Sequence, residues 1–174
     1  ISAIVLQYIF SEKVGYDAVT VAGVEEGGFP HKDNISTMIL VPKVVEAVSV
    51  PVLAAGGMAD GKSLAAALAL GADGVMMATR FLATKESGVH QNIYNALVEK
   101  TEADTALQLQ SLLQGFGLQV RALKNEIMQK IADVENSGGD LSELLPLISG
   151  ERALKAWQEG NVEDAMLTIG QSVG

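Results

Sequence analysis

An α/β fold with a parallel sheet is what the sequence predicts, and three observations carry that expectation. Residues 52–81, VLAAGGMADGKSLAAALALGADGVMMATRF, open with a short apolar run that stops at Gly56-Gly57. An alanine- and leucine-rich helical stretch follows over 63–70, broken by Gly71-Ala72-Asp73. A second short apolar run, 74–79, then ends in Ala78-Thr79. Strand, glycine loop, helix and strand in this order make a βαβ unit, whose two strands run parallel.

Both strand ends suit an anion. Gly56 and Gly57 let backbone approach a ligand and take up positive φ, and N–H groups opening the next helix favour negative charge. Ala78 and Thr79 offer the same from the neighbouring strand, with the Thr79 hydroxyl as an extra donor. Adjacent strand ends of this kind place a ligand at the C-terminal edge of a parallel sheet.

The remaining elements follow in chain order. Residues 1–14 carry apolar side chains near a helical period and end at Gly15. Residues 18–21, AVTV, read as a strand, followed by the glycine-rich loop Ala22-Gly23-Val24-Glu25-Glu26-Gly27-Gly28-Phe29-Pro30-His31. Residues 39–48 form a crossover helix with Pro42 in its first turn and Asn34 or Ser36 as its N-cap. Beyond Phe81, helices are expected over 89–100, 126–136, 140–148, 150–157 and 163–169, with Asp140 and Glu143 as a capping box and Trp157 as an apolar anchor. Two parts result: 1–100, carrying the strands and glycine loops, and 101–174, a helical segment.

Composition narrows the function. The 174 residues, 48% hydrophobic with a formal net charge of −9, can bury a core but offer no basic stripe for nucleic acid. There is no cysteine, so disulfides, thiolate metal sites and a cysteine nucleophile are excluded. His31 and His90 are far apart and lack carboxylates at ligand spacing, so no metal site is expected. No apolar run reaches membrane-spanning length, and a cytoplasmic location fits.

The run AAGGMADGKSLAAALALGADGVMMATRFLATKES resembles the C-terminal barrel segment of the nitronate monooxygenase (2-nitropropane dioxygenase) family, which are FMN-dependent (β/α)8 enzymes. The resemblance implies the C-terminal portion of a TIM barrel, about three parallel strands with crossover helices, plus an appended helical segment. It implies FMN as cofactor, held by Gly27, Gly28, Gly56, Gly57, Met77, Ala78 and Thr79, and alkyl nitronate and oxygen as substrates. The family stretch reads glycine, any residue, glutamate, alanine, glycine, glycine, histidine. Gly23, Glu25, Gly27 and Gly28 keep this register, whereas Phe29 stands at the histidine that serves as base. His31 is then the candidate catalytic base, and Phe29 a wall of the flavin or substrate pocket. Arg121, which follows Gly115-Phe116-Gly117, resembles a family arginine that steadies a carboxylate or lends positive charge near the phosphate; a surface salt bridge on a helix is the plainer expectation.

The chain begins at Ile1, and a complete barrel takes roughly 200–250 residues, so a fragment is expected. Its open sheet edge calls for the missing N-terminal half or self-association as a homo-oligomer. Two further readings stand beside the monooxygenase: an NAD(P)H-dependent flavin enoyl-thioester reductase, and a non-catalytic flavin- or phosphate-binding module that needs a partner chain.

Overall fold

The computed structural model describes residues 2–109 and 119–174. Gly115-Phe116-Gly117 lies outside them. The chain opens with helix α1 (Ala3–Lys13), then strand β1 (Val19–Ala22), helix α2 (Thr37–Val45), strand β2 (Val52–Ala55), helix α3 (Gly61–Ala69) and strand β3 (Gly74–Val75). The three strands form one parallel sheet in the order β1-β2-β3, with Val19 opposite Val52 and Leu53 opposite Gly74. Two parallel pairs joined by helical crossovers are the unit expected from the alternation of short apolar runs and helical stretches.

Each crossover helix buries one stripe on this sheet. Leu40, Val41 and Val44 of α2 meet Val19 and Val21 of β1 and Val52 and Ala54 of β2, and Ala67 of α3 and Ala72 complete the cluster. Ile4 and Val5 bring α1 onto the same core.

Several boundaries differ from the sequence expectation. Helix α2 starts at Thr37, two residues before 39, so Pro42 lies inside it and not in its first turn. Ser36 holds the N-cap position without a side-chain bond, because the carboxylate of Glu25 takes that role from another loop. The third strand does not run through 74–79. After the Met76 N–H reaches the Ala54 carbonyl the ladder stops, and Thr79 opens the four-residue helix α4 (Thr79–Leu82).

Helix α5 (Gln91–Glu99) follows, with His90 as its N-cap, the ring Nδ1 accepting the Asn92 N–H. Then comes a pair of strands that the sequence reading does not anticipate. Strands β4 (Thr105–Gln108) and β5 (Val120–Leu123) pair antiparallel, with Thr105 opposite Leu123. Helices α6 (Glu126–Asn136), α7 (Leu141–Ile148) and α8 (Gly150–Glu159) complete the helical part, and the Asp140–Glu143 capping box on α7 is present.

The helix expected over 163–169 is absent. The chain bends over 162–165, Ala165, Leu167 and Ile169 are buried at every second residue, and the Leu167 carbonyl accepts the N–H of Leu123 beside β5. A period of two with backbone pairing is strand-like geometry, and it overrides the helix propensity of Glu, Ala, Met and Leu. Trp157 packs on the cluster of Ile93, Leu97, Leu123, Leu167 and Ile169, which joins α5 to this C-terminal segment.

Candidate functional site at the strand ends

The loops after β1, β2 and β3 meet at one end of the parallel sheet around a small cleft. Gly27, Gly56, Gly57, Ala78 and Thr79 line it, together with Glu25 and Glu26 from the first loop and Gly170 and Ser172 from the C-terminal segment. Its volume, about 80 Å³, lies well below the roughly 300–1,000 Å³ of a pocket that encloses a whole small molecule. A tetrahedral anion matches that scale, and a ring system does not.

The first loop is held by a set of interlocking contacts. The Glu25 carboxylate accepts the Thr37 N–H at 3.0 Å and lies 2.9 Å from the Thr37 Oγ1, capping α2 with a charge that suits the helix dipole. The same hydroxyl is 2.9 Å from the Ala55 carbonyl and 3.0 Å from that of Gly56, so its single proton serves three acceptors in turn at the end of β2. Gly23 makes this possible, because a Cβ there would come within 2.1 Å of the Thr37 nitrogen.

Gly27 and Gly170 lie back to back. A Cβ on Gly27 would be 2.5 Å from the Gly170 nitrogen, one on Gly170 would be 2.8 Å from the Glu25 carbonyl, and the Gln171 N–H donates to that carbonyl. Gly28 is placed differently from Gly27: its N–H donates to the Arg121 carbonyl and its carbonyl accepts the Arg121 N–H, and it does not line the cleft.

Arg121 itself is on strand β5 and buried, not on a helix surface. Its Nε donates to the Val24 carbonyl and its Nη1 to the Thr105 hydroxyl. Burial lowers its pKa, and the charge of Glu25 offsets part of that shift. The arginine thus staples the glycine loop to the β4–β5 pair.

The second and third loops are organised otherwise. Gly56 and Gly57 have φ of +81° and +74°, a region open to glycine. Among the described residues the N–H groups of Gly56, Gly57 and Ala78 donate to no protein acceptor. Thr79 is buried, and its Oγ1 accepts the Gly170 N–H at 3.0 Å, which leaves its own proton to donate. The start of α3 is not a free anion site, contrary to the sequence expectation, because the Asp60 side chain already accepts the Ser63 N–H there. Met77 does not line the cleft.

Two carboxylates, Glu25 and Glu26, line this cleft. Arg80 turns away, its Nη2 donating to the Gly174 carbonyl. Burial raises the Glu26 carboxyl to about 7, and sequence reading assigns that residue no role. The only sequence signal is that Glu26 stands where the resembling motif has alanine.

The structure does not bring His31 into the cleft. Its Nδ1 accepts the Asp33 N–H at 3.2 Å and lies 3.4 Å from the Asp33 carboxylate, while its carbonyl accepts from Gln119 Nε2. Phe29, 61% exposed, is not part of the lining either.

Comparison with known proteins places these features. The family model for nitronate monooxygenase matches residues 3–174. A probable nitronate monooxygenase of Staphylococcus aureus strain JH9 is 33% identical over 169 residues, covering 92% of this chain and 45% of the relative. Of solved structures, FabK from Thermotoga maritima superposes with a TM-score of 0.86 at 34% identity, over 97% of this chain and 51% of that one. Nitroalkane oxidase from Streptomyces ansochromogenes gives 0.75 at 31% identity, over 96% and 49%. The chain spans about half the length of these relatives. Its parallel strands and crossover helices are a portion of a (β/α)8 barrel, and the chain belongs to the nitronate monooxygenase family of oxidoreductases.

Proposed function

We propose that this chain is the phosphate-holding part of an FMN-dependent oxidoreductase that oxidises alkyl nitronates with oxygen. The observation that carries the reading is the cleft where Gly56 and Gly57, at positive φ, and Ala78 present N–H groups without protein partners beside the buried Thr79 hydroxyl. Such backbone donors hold an anion without a cationic side chain, as a protein of net charge −9 requires.

The donor set fits a terminal phosphate and not the flavin ring, which the cleft volume leaves outside. Gly56, Gly57, Ala78 and Thr79 would hold the phosphate, with Gly27 forming the floor against Gly170. A bound flavin would supply the redox chemistry, taking electrons from the nitronate and giving them to oxygen. The chain's own share is to fix the phosphate end and thereby orient the ring. Gly28, expected from the resemblance to contact the cofactor, acts in this reading by pairing the first loop with Arg121, and Met77, expected likewise, has no part in it. His31 remains the histidine of the first loop that could take a proton, with Asp33 orienting its ring.

A second reading, the flavin-dependent enoyl-thioester reductase, draws support from the likeness to FabK. One experiment separates the two. The purified chain is loaded with FMN, freed of excess and assayed for nitronate-dependent oxygen consumption and for NAD(P)H consumption with an enoyl thioester. Oxygen consumption that falls in His31→Ala supports the monooxygenase; thioester-dependent NAD(P)H consumption in its place supports the reductase; absence of a retained flavin band counts against both.

A further inference from the structure

Glu26 lines the cleft yet has no part in the reading above. It precedes Gly27, its backbone nitrogen lies 3.2 Å from where a Cβ on Gly56 would stand, and burial acts on its carboxyl with no hydrogen bond or cation opposing it. The titratable groups on the surrounding elements do not supply one. Tyr8 of α1 is a phenol raised chiefly by burial, with the charge of Glu26 adding to that shift, so it supplies no cation. Glu25 of the same loop is engaged with Thr37, and Arg121 of β5 with Val24 and Thr105. The cleft residues from the ends of β2 and β3, and Gly170 and Ser172 of the C-terminal segment, carry no charge.

An ionised carboxylate in a cleft of about 80 Å³ would repel an entering anion at close range, where little water screens the pair. A neutral carboxyl removes that repulsion and offers one O–H donor. We propose that Glu26 couples anion binding to proton uptake, accepting one proton from solvent as a phosphate group enters the cleft, so that the neutral acid faces the bound anion. The inference rests on the phosphate reading of the cleft. It makes binding proton-linked: weakest where the free carboxyl is ionised, and insensitive to Glu26 at pH values where the acid is already neutral.

The test is calorimetric titration of inorganic phosphate into the wild-type chain, Glu26→Gln and Glu26→Ala at about pH 6 and about pH 8, in buffers of different ionisation heat. Phosphate contributes its own proton equilibrium equally to all three, so the difference between variants is the readout. At the higher pH the wild type should take up close to one proton more than either variant. Its affinity should also fall up to about tenfold per pH unit more steeply. Binding with equal proton uptake in all three would overturn the coupling and leave the phosphate reading intact. If none of the three binds phosphate at either pH, the phosphate reading falls and the coupling with it.

Discussion

Two glycine loops end neighbouring strands of the same sheet and use the residue in opposite ways. In the loop after β1, Gly23 and Gly27 are needed because protein atoms fill the space a side chain would take: Thr37 against one, Ile169 and Gly170 against the other. In the loop after β2, Gly57 has only the side chain of Glu25 within reach of an added Cβ, at 3.5 Å or more, and its φ of +74° is what calls for glycine. The first loop turns its polar groups inward onto Thr37, Arg121 and Gln171. Among the described residues the N–H groups of Gly56 and Gly57 in the second donate to no protein acceptor. In the proposed function one loop is scaffold and the other is site, although the two read alike in the sequence.

Substitutions should divide along this line. Gly27→Ala forces a Cβ into backbone at 2.5 Å, so a loss of about 3 kcal/mol or more is expected in chemical denaturation, with the C-terminal segment displaced. Glu25→Ala removes a charged cap and its bonds to Thr37, for a loss of about 2 kcal/mol by the same measurement. Gly57→Ala meets no close backbone, so its cost is the left-handed conformation alone, about 1 kcal/mol, while phosphate binding should suffer far more than stability. A Gly57→Ala chain that unfolds as readily as Gly27→Ala would erase the distinction.

The smallest expected effect is Glu26→Gln, and it depends on pH. The folded carboxyl is raised from its ordinary 4.5 to about 7, so the wild type has its full share of stability below the unfolded value and loses it as pH rises through 7. Glu26→Gln should therefore be the more stable chain at pH 8 and indistinguishable near pH 4. Because the group is partly open to solvent, the gain is on the order of 1 kcal/mol. A urea denaturation series against pH checks it.

How much of this was legible without the structure divides along the same line. The βαβ core was, because Val52–Ala55, the alanine-rich helix and the glycine breaks carry local signals. The strands β4 and β5 were not: TALQ and VRAL are four residues each and contain helix formers as well as strand formers, so their antiparallel pairing decides them. The bonds that fix the first loop were invisible for a different reason. Arg121 reaches Val24 across 97 positions and Thr79 meets Gly170 across 91, and no spacing rule joins residues so distant. Thr79 reads as a strand end, and Arg121 as a residue that steadies a carboxylate, lends charge near the phosphate or makes a surface salt bridge on a helix, because their partners lie elsewhere in the chain. The position of His31 beside Asp33 likewise depends on how the loop folds after Pro30, which its composition does not dictate.

The measurement that bears most directly on the division between scaffold and site is a comparison of FMN with riboflavin, which lacks the phosphate, by fluorescence quenching on the wild-type chain and on Thr79→Val. FMN binding that riboflavin does not match, and that Thr79→Val weakens at least about tenfold, or about 1.4 kcal/mol, is the result expected if the loops after β2 and β3 hold a phosphate. Equal binding of the two flavins, or FMN binding unchanged by Thr79→Val, would contradict it.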